Sequence, residues 1–213
     1  MNWFFIRHGQ INSNLNKVYS GRSDEPLNAK GLEQAYQAAE LIKSKAIDRV
    51  ISSPLTRAGQ TANIIASENG LKKTYDPAFN EMKFGVWEGK SESSIQQQYP
   101  LEWRLWNTSP HQLKLPGRET LQQLQQRVIE RMHNISLEGK DGAGKDQANK
   151  DQTILVVTHV AVIRVALLYA QQRPLSEYKS VSVDNCQLFP VSLIDHNLQK
   201  ARMQCKALRE VAQ

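Results

Sequence analysis

Two apolar segments of this chain each end in a histidine. Residues 3–6 run directly into Arg7 and His8, and residues 153–158 run directly into His159. Both segments are rich in aromatic or β-branched side chains, which is typical of buried strands. Parallel strands hold their ligands just beyond their carboxyl ends, so we expect both imidazoles at one edge of a sheet. The alternative is that Arg7 and His8 only cap a strand at the surface.

A third strand candidate, residues 49–51, leads into a helix that carries another arginine. We predict Ser53 as the N-cap of this helix and Pro54 as its first residue. Arg57 then lies in the first turn, where the helix dipole disfavours a cation. We therefore expect Arg57 to share an anion with the helix N-terminus. The alternative is a solvated arginine, which loses little free energy at that position.

The three strand ends together predict a site for phosphate chemistry. Four potential cations clustered without an anion are costly, and a phosphate dianion gripped by Arg7 and Arg57 would offset them. A neutral imidazole can attack phosphorus, while the guanidinium groups and the second imidazole offset charge in the transition state. The leaving oxygen then needs a proton from a carboxylic acid. Glu81, in a loop after a strand candidate over residues 73–79, is the best-placed acid, and Glu88 is the runner-up.

Hydrophobic periodicity predicts helices that connect and cover the strands. The first follows Asn28 as N-cap, and its apolar face comprises Leu32, Ala35, Tyr36, Ala39 and Ile42. Further helices are predicted over residues 91–106, over residues 120–135 after a Thr120 cap, and over the apolar residues 160–170 with Arg164 inside. Further strands are predicted over residues 181–183 and 189–194.

Two segments stand apart from this alternation of strands and helices. Residues 91–117, which include Trp103 and Trp106, are predicted to form an insertion that shapes a pocket over one end of the sheet; a plain surface subdomain is the alternative. Residues 139–151 repeat Lys-Asp among small polar residues and are predicted to be a flexible connector. The connector matches GxxxxGK, but it lacks the following Ser or Thr and runs from helix to strand, so we expect no nucleotide site.

Length, composition and charge favour a single domain of an ordinary soluble basic protein. The 213 residues are 40% hydrophobic, which suits one domain over residues 1–213 with a sizeable core. The formal net charge is +6, but there is no block of basic residues and no nucleic-acid-binding motif, so no nucleic-acid partner is expected. No apolar run approaches the roughly 20 residues of a membrane span, and no signal peptide is evident. Two cysteines make no disulfide framework, which predicts a cytoplasmic protein.

A metal site is the main alternative for the histidines. Two imidazoles and a glutamate could bind zinc, but the chain has no HExxH or CxxC motif, and the arginines would be repelled by a cation. We therefore predict no metal. The remaining histidines, His111, His133 and His196, stand in polar contexts and are predicted to be surface residues.

Taken together, the motifs resemble those of the histidine phosphatase superfamily, also called the phosphoglycerate mutase-like family. An isolated Arg-His-Gly would be a weak match, whereas the ordered set is specific and covers nearly the whole chain to about Asp195. The matching motifs are Arg7-His8-Gly9, Ser52 to Ala58, Asn80-Glu81, Phe84 to Gly89, Pro116-Gly117 with Glu119, Arg127, and Thr158-His159.

The resemblance implies an α/β fold, a three-layer α/β/α sandwich with a mostly parallel central sheet. It implies a small-molecule phosphate ester as substrate and neither a metal nor a cofactor. His8 would be the phosphorylated nucleophile and Glu81 the proton donor. The implied substrate-binding residues are Arg7, Asn14, Gly21, Arg57, Glu81 and His159, of which Arg7, Arg57 and His159 form the phosphate pocket.

Three positions depart from the family pattern. Ile11 replaces a common Thr or Ser, Val160 replaces a glycine after the second histidine, and Arg118 stands where a small residue is common. Val160 is expected to narrow the pocket or shift the His159 backbone, and Arg118 to contact an anionic substrate or to be solvated. A phosphomonoesterase is the leading hypothesis, since the middle insertion is short for a phosphoglycerate mutase. A phosphotransferase and a non-catalytic phosphate-binding relative stay open, as does a homodimer.

Overall fold

A mixed five-stranded sheet forms the centre of the protein. The computed structural model describes residues 1–141 and 152–193. The strands are β1 (Asn2–Arg7), β2 (Arg49–Ser52), β3 (Lys72–Tyr75), β4 (Thr153–Thr158) and β5 (Leu188–Val191). Their order across the sheet is β3-β2-β4-β1-β5, and only β5 runs antiparallel to its neighbour.

Helices cover both faces of this sheet. They are α1 (Asn12–Leu15), α2 (Ala29–Ile42), α3 (Thr56–Asn69), α4 (Glu92–Gln98), α5 (Pro100–Thr108), α6 (Leu121–Asp141) and α7 (Val160–Ala170). Apolar residues of α2 and α3 pack on one face of the sheet, and those of α6 and α7 pack on the other. The predicted three-layer α/β/α architecture is therefore confirmed.

The central strand β4 shows why the sequence forms this sheet. All six of its residues are buried. Ile154 and Val156 face the core under α6 and α7, whereas Leu155 and Val157 face the core under α2 and α3. A parallel strand covered on both faces must be apolar at every position, and this one is apolar except at its terminal threonines.

The strand register brings the candidate residues to one edge. Arg7, the last residue of β1, pairs with Thr158, the last residue of β4. The backbone N–H of His8 then donates to the Thr158 carbonyl at 3.0 Å, and the N–H of Ser53 donates to the Val157 carbonyl at 3.0 Å. The residues that follow β1, β2 and β4 consequently lie beside one another.

The helix after β2 begins later than predicted. It starts at Thr56, whose backbone N–H and hydroxyl both donate to the Asp24 carboxylate at 2.7 Å. Ser53 is not the N-cap, which is Leu55; the Ser53 hydroxyl donates to Asn80, contacts His159 and accepts from the Leu55 N–H at 3.3 Å. Arg57 still lies in the first turn, as predicted.

Several other boundaries and faces differ from the expectation. Asn28 caps α2 as predicted, but Leu32 and Tyr36 are 41% and 54% exposed, because the helix packs through Ala35, Ala38, Ala39 and Ile42. Helix α6 continues beyond residue 135 to Asp141, which places residues 139–141 in the helix. Residues 181–183 form no strand. The rest of the predicted 139–151 connector and residues beyond 193 lie outside the described part of the chain.

The aromatic segment 91–117 forms two helices that break at Pro100 and pack against the large core cluster. Ser91 caps the first helix by accepting from the Ser94 N–H. Trp106 is buried, and its indole N–H donates to the Tyr19 hydroxyl at 2.9 Å. This contact ties the segment to the loop after α1, and Trp106, Tyr19 and Glu92 line the cavity described next.

Candidate active site

A cavity of about 330 Å³ opens at the carboxyl edge of the parallel strands. Six of the residues that the sequence indicated line it, namely Arg7, His8, Asn14, Gly21, Arg57 and Glu81. His159 is fully buried next to them, with its ring centroid 5.1 Å from that of His8. The fold therefore brings the predicted set together, as expected for ligand sites at strand ends.

His8 is held as a neutral imidazole with a free Nε2. Its Nδ1 lies 2.7 Å from the Gly9 carbonyl oxygen. A carbonyl only accepts, so we assign the proton to Nδ1 and the lone pair to Nε2. Burial, followed by the positive charges of Arg57 and Arg7, holds the pKa of His8 well below its usual value. The unprotonated form is the one that can attack phosphorus.

His159 is oriented through a serine and an asparagine. Its Nε2 lies 2.8 Å from the Ser53 hydroxyl oxygen, and that hydroxyl is 2.7 Å from Asn80 Oδ1. The hydroxyl has one proton, and donating it to Asn80 leaves its oxygen to accept from His159 Nε2–H. Burial and the neighbouring arginine Arg57 hold the pKa of His159 well below its usual value. The second nitrogen, Nδ1, is buried with no hydrogen-bond partner in the described part of the chain.

Arg57 is almost completely buried and is positioned by the loop after α1. Its two terminal nitrogens donate to the carbonyls of Gly21 at 2.7 Å and Ser23 at 2.8 Å. Gly21 has φ +45°, and a Cβ there would lie 2.8 Å from the Glu88 carboxyl carbon, so the turn that presents its carbonyl favours glycine.

Arg7 approaches the same cavity from β1. One terminal nitrogen donates to the Val183 carbonyl at 2.8 Å. Its Nε and the Nε of Arg57 are buried, and neither has a hydrogen-bond partner among residues 1–141 and 152–193. Two fixed cations with unused buried donors are suited to an anion with several oxygens, such as a phosphate.

Glu81 lies in the cavity as a buried carboxyl group. Burial raises the pKa of Glu81, and the nearby arginines Arg57 and Arg7 oppose that rise. Its Oε1 accepts from the Met82 N–H at 2.8 Å. A raised pKa keeps more of the group protonated, which is the form needed to donate to a leaving oxygen. Glu88 does not line the cavity; it accepts from the Arg22 backbone N–H instead.

The loop that carries Glu81 is held by helix α6. Arg127 donates to the Asn80 carbonyl at 2.8 Å and is paired with Glu119 at 2.6 Å. Thr158, at the end of β4, donates its hydroxyl to the Phe79 carbonyl at 2.6 Å. Glu81 is thus tied to the same strand end that presents His159.

Asn14 is oriented by a residue that the sequence did not single out. Its Oδ1 accepts from the Ile11 N–H and from Asn185 Nδ2, both at 3.2 Å. Asn185 Nδ2 also lies 2.9 Å from the His8 carbonyl, to which it donates. These bonds occupy the Asn14 oxygen and leave its amide nitrogen as a donor for a ligand.

The three departures from the family pattern have separate structural consequences. Ile11 is fully buried in a small cluster with Leu27 and Ala35. Val160 lines the cavity as the first residue of α7, where helical backbone does not require glycine. Arg118 is neither solvated nor in the cavity; its guanidinium lies 4.8 Å from the Trp106 ring centroid.

The remaining histidines and the alternative sites can also be placed. His111 and His133 are half-buried rather than exposed, and His196 lies outside the described residues. Over residues 1–141 and 152–193, no group of three or more His, Cys, Asp or Glu side chains is arranged to hold a metal ion. In the same part of the chain, no helix has the length and apolarity to cross a bilayer.

Known proteins share both this sequence pattern and this fold. The model of the histidine phosphatase superfamily (branch 1) matches residues 3–206, so this chain belongs to that superfamily. The Escherichia coli adenosylcobalamin/alpha-ribazole phosphatase is 35% identical over 129 residues, which cover 60% of this chain and 63% of that protein. A Salmonella choleraesuis protein named "Probable phosphoglycerate mutase GpmB" is 35% identical over 125 residues, or 59% of this chain and 58% of that protein.

A solved structure extends the likeness over most of the fold. The alpha-ribazole phosphatase from Shigella flexneri is 29% identical and superposes with a TM-score of 0.74, covering 92% of each chain. The family expectation from the motifs is therefore confirmed. The curated relatives above are matched over less than two thirds of their own length.

Proposed function

We propose that this protein is a metal-independent phosphomonoesterase that acts through a phosphohistidine intermediate. The observation that carries the proposal is the buried pair of imidazoles beside two arginines, with a carboxyl group of raised pKa in the same cavity. A phosphoryl group bound between Arg7 and Arg57 would face the free Nε2 of His8.

The reaction follows from these groups in two steps. His8 Nε2 attacks phosphorus, the bond from phosphorus to the ester oxygen breaks, and Glu81 gives its proton to the departing alcohol. Arg7 and Arg57 offset charge on the phosphoryl oxygens as the bond breaks, and His159 joins them once the bound phosphate dianion has favoured protonation of its Nδ1. In the second step the Glu81 carboxylate takes a proton from water, which attacks phosphorus and releases His8 and inorganic phosphate.

Replacement of the nucleophile tests this proposal directly. His8→Ala should reduce kcat by about 10⁴-fold or more while the circular dichroism spectrum and melting temperature stay close to those of the wild type. Quenching the wild type in alkaline detergent during turnover of a ³²P-labelled ester should trap a phosphoryl group on His8 that is stable to alkali and lost in acid. Full activity of His8→Ala would refute the mechanism, and activity that EDTA removes and zinc restores would favour a metal site instead.

For the substrate, we propose α-ribazole 5′-phosphate, an intermediate of cobalamin synthesis, as the first compound to test. Support comes from the names of the Escherichia coli and Shigella flexneri relatives. The loop motifs Tyr19-Ser20-Gly21 and Val183-Asp184 also resemble those of α-ribazole phosphatases. The kcat/KM for α-ribazole 5′-phosphate should exceed the values for 3-phosphoglycerate and p-nitrophenyl phosphate by about a hundredfold or more. Similarly slow hydrolysis of all three esters would support the phosphatase reaction but contradict α-ribazole 5′-phosphate as the substrate.

A broad-specificity phosphatase of small acidic or sugar phosphates, or a mutase-type phosphotransferase, is the second candidate. The basic residues Lys17, Arg164 and Lys179 in the cavity wall favour it, because they exceed what one phosphate needs. A non-catalytic phosphate-binding relative is a third, and turnover of no ester would favour it. A cytoplasmic location and a homodimer stay predictions.

A further inference from the structure

The cavity holds a second group of basic residues that the proposed phosphoryl chemistry does not use. Lys17, Arg164 and Lys179 line the same cavity as Arg7 and Arg57. Glu92 is the only acidic residue in the described lining besides Glu81. One signal of this group is visible in the sequence, since Arg164 is a single charge inside the otherwise apolar helix α7.

Arg164 is held rigidly at this wall. Its Nε donates to the Val181 carbonyl at 2.8 Å, and its guanidinium carbon lies 5.0 Å from the Tyr178 ring centroid. Its positive charge contributes to the lowered pKa of Arg7, although burial is the larger cause. Arg164 therefore acts electrostatically on the phosphate site and, like Arg7, is held by one backbone carbonyl.

Lys179 is a partly buried cation without a close counter-ion. Its Nζ lies 4.3 Å from the Trp106 ring centroid, and no carboxylate lies within 4.0 Å of it in the described part of the chain. Burial, followed by the charge of Arg164, lowers the pKa of Lys179 to about 8, while Glu92 opposes that change. An anion bound beside Lys179 would favour its charged form and so oppose the influence of burial and of Arg164 on its pKa.

The cavity wall carries more positive charge than one phosphate ester offsets. A phosphate ester carries about −1.5 to −2 charges, which Arg7 and Arg57 already offset. Lys17, Arg164 and Lys179 then face only Glu92, so the wall keeps two positive charges more than negative ones. A cavity of one sign with aromatic walls concentrates ligands of the opposite charge.

We propose that Arg164 and Lys179, with Lys17 beside them, bind a second anionic group on the alcohol part of the substrate. This wall therefore favours phosphomonoesters that also carry a carboxylate or a second phosphate over matched esters that do not. This inference rests on the proposed phosphatase reaction but not on the choice of α-ribazole 5′-phosphate, whose base is uncharged.

Matched ester pairs test the inference. 3-Phosphoglycerate is compared with glycerol 1-phosphate, and 6-phosphogluconate with glucitol 6-phosphate; each pair differs only by a carboxylate in place of a hydroxymethyl group. Fructose 1,6-bisphosphate beside fructose 6-phosphate tests a second phosphate. In at least one pair the more acidic ester should have a kcat/KM higher by about tenfold or more, as expected for a charge-assisted hydrogen bond.

A substitution of Lys179 tests whether this residue causes the preference for the more acidic ester. Lys179→Met keeps an unbranched side chain over Trp106 but removes the charge, and it should reduce the acidic-to-neutral ratio of kcat/KM to roughly one third or less. Lys114→Met is the matched control, because Lys114 is exposed, lies outside the cavity lining and changes the net charge equally. The control should keep the wild-type ratio.

The outcomes separate this inference from the proposed function. Hydrolysis of all esters with ratios near one in every pair would overturn the second anion site and keep the phosphatase. A preference that Lys179→Met and Lys114→Met change equally would also overturn it, since net charge alone would then explain it. Hydrolysis of no ester would instead refute the proposed function.

Discussion

At the scale of single residues, one hydrogen bond decides what each buried imidazole can do. His8 donates through Nδ1 to the Gly9 carbonyl, which leaves Nε2 for phosphorus. His159 meets the Ser53 hydroxyl through Nε2, which leaves Nδ1 without a partner among the described residues. The two ring centroids lie 5.1 Å apart. Because of these two hydrogen bonds, His8 has Nε2 available for phosphorus, whereas His159 has Nδ1 available for a phosphoryl oxygen.

Loss of the Ser53 hydroxyl should weaken catalysis through His159. In Ser53→Ala the imidazole loses the acceptor that fixes its tautomer, so kcat should fall by about 10- to 100-fold with a smaller change in KM. The dependence of kcat on pH should change as well, because His159 would no longer be held in one protonation pattern. Steady-state kinetics from pH 5 to 8 measure both effects.

Two further variants control for a structural effect of that change. Ser52→Ala removes a neighbouring buried hydroxyl that donates to the Ser53 carbonyl and does not touch histidine, so its pH profile should match the wild type. Ser53→Thr keeps a hydroxyl and should recover most of the activity. If Ser53→Ala and Ser52→Ala behave alike, Ser53 has no role in positioning His159.

Glu81→Gln should separate esters by their leaving groups. Alkyl esters need a proton at the departing oxygen and should slow by roughly 100-fold or more, whereas aryl phosphates should slow by about tenfold or less. Burial raises the pKa of Glu81, and the acid must be protonated, so wild-type kcat/KM for alkyl esters should fall as pH rises through that pKa. The variant should lack this alkaline limb. Equal slowing of both ester types would remove Glu81 from the acid role.

At the scale of elements, the site depends on a close contact between the loop after β1 and the start of α2. A Cβ on Gly9 would lie 2.3 Å from the Gly31 carbonyl oxygen, and a Cβ on Gly31 would lie 2.1 Å from the Gln10 carbonyl oxygen. Both contacts are with backbone, which cannot move aside as a flexible side chain can. The absence of side chains at these two glycines lets α2 approach the loop that carries His8.

Gly31→Ala should therefore destabilise the fold, by about 3 kcal/mol of unfolding free energy, and reduce activity through the displaced loop. Gly59→Ala in α3 is the matched control. A Cβ there would meet only the Tyr75 side chain at 3.4 Å, so the better helix propensity of alanine should leave stability unchanged or raise it by up to about 1 kcal/mol. Urea unfolding monitored by circular dichroism measures both. Equal stability of the two variants would contradict the close contact.

At the scale of the whole molecule, the carboxyl edge of the sheet concentrates buried positive charge. Arg7, Arg57 and Arg164 come from β1, α3 and α7, three elements far apart in the chain. The fold must keep these arginines together although they repel one another. Burial is the main cause of the lowered pKa of Arg7, and the positive charge of Arg164 lowers it further. An anion bound among them should stabilise the native state.

Inorganic phosphate should accordingly raise the melting temperature. At about 100 times its dissociation constant, phosphate should add about 2.7 kcal/mol of stability, or roughly 5 to 10 °C. Sodium chloride of equal ionic strength is the control, and Arg57→Met should lose most of the phosphate-dependent increase relative to its own baseline. An equal increase in chloride would show general screening rather than a phosphate site.

The sequence by itself determined the local chemistry and the class of fold. The apolar run of β4 identifies a strand covered on both faces, and the histidine that follows it is placed at the strand end by chain continuity alone. The same holds for Arg7 and His8 after β1, and for Arg57 in the first turn after β2. The family resemblance then assigned roles to these residues and to Glu81, Asn14 and Gly21, all of which the fold brings to the cavity or beside it.

Only the tertiary structure decided the contacts between distant segments. His159 meets Ser53 across 106 residues, and Asn185 meets His8 across 177, so these bonds depend on the strand order and on the antiparallel β5. The pairing of Arg164 and Lys179 in one wall likewise depends on how α7 packs. Local patterns specify which face of a segment is apolar, whereas the partner of that face is set by the packing of the whole chain.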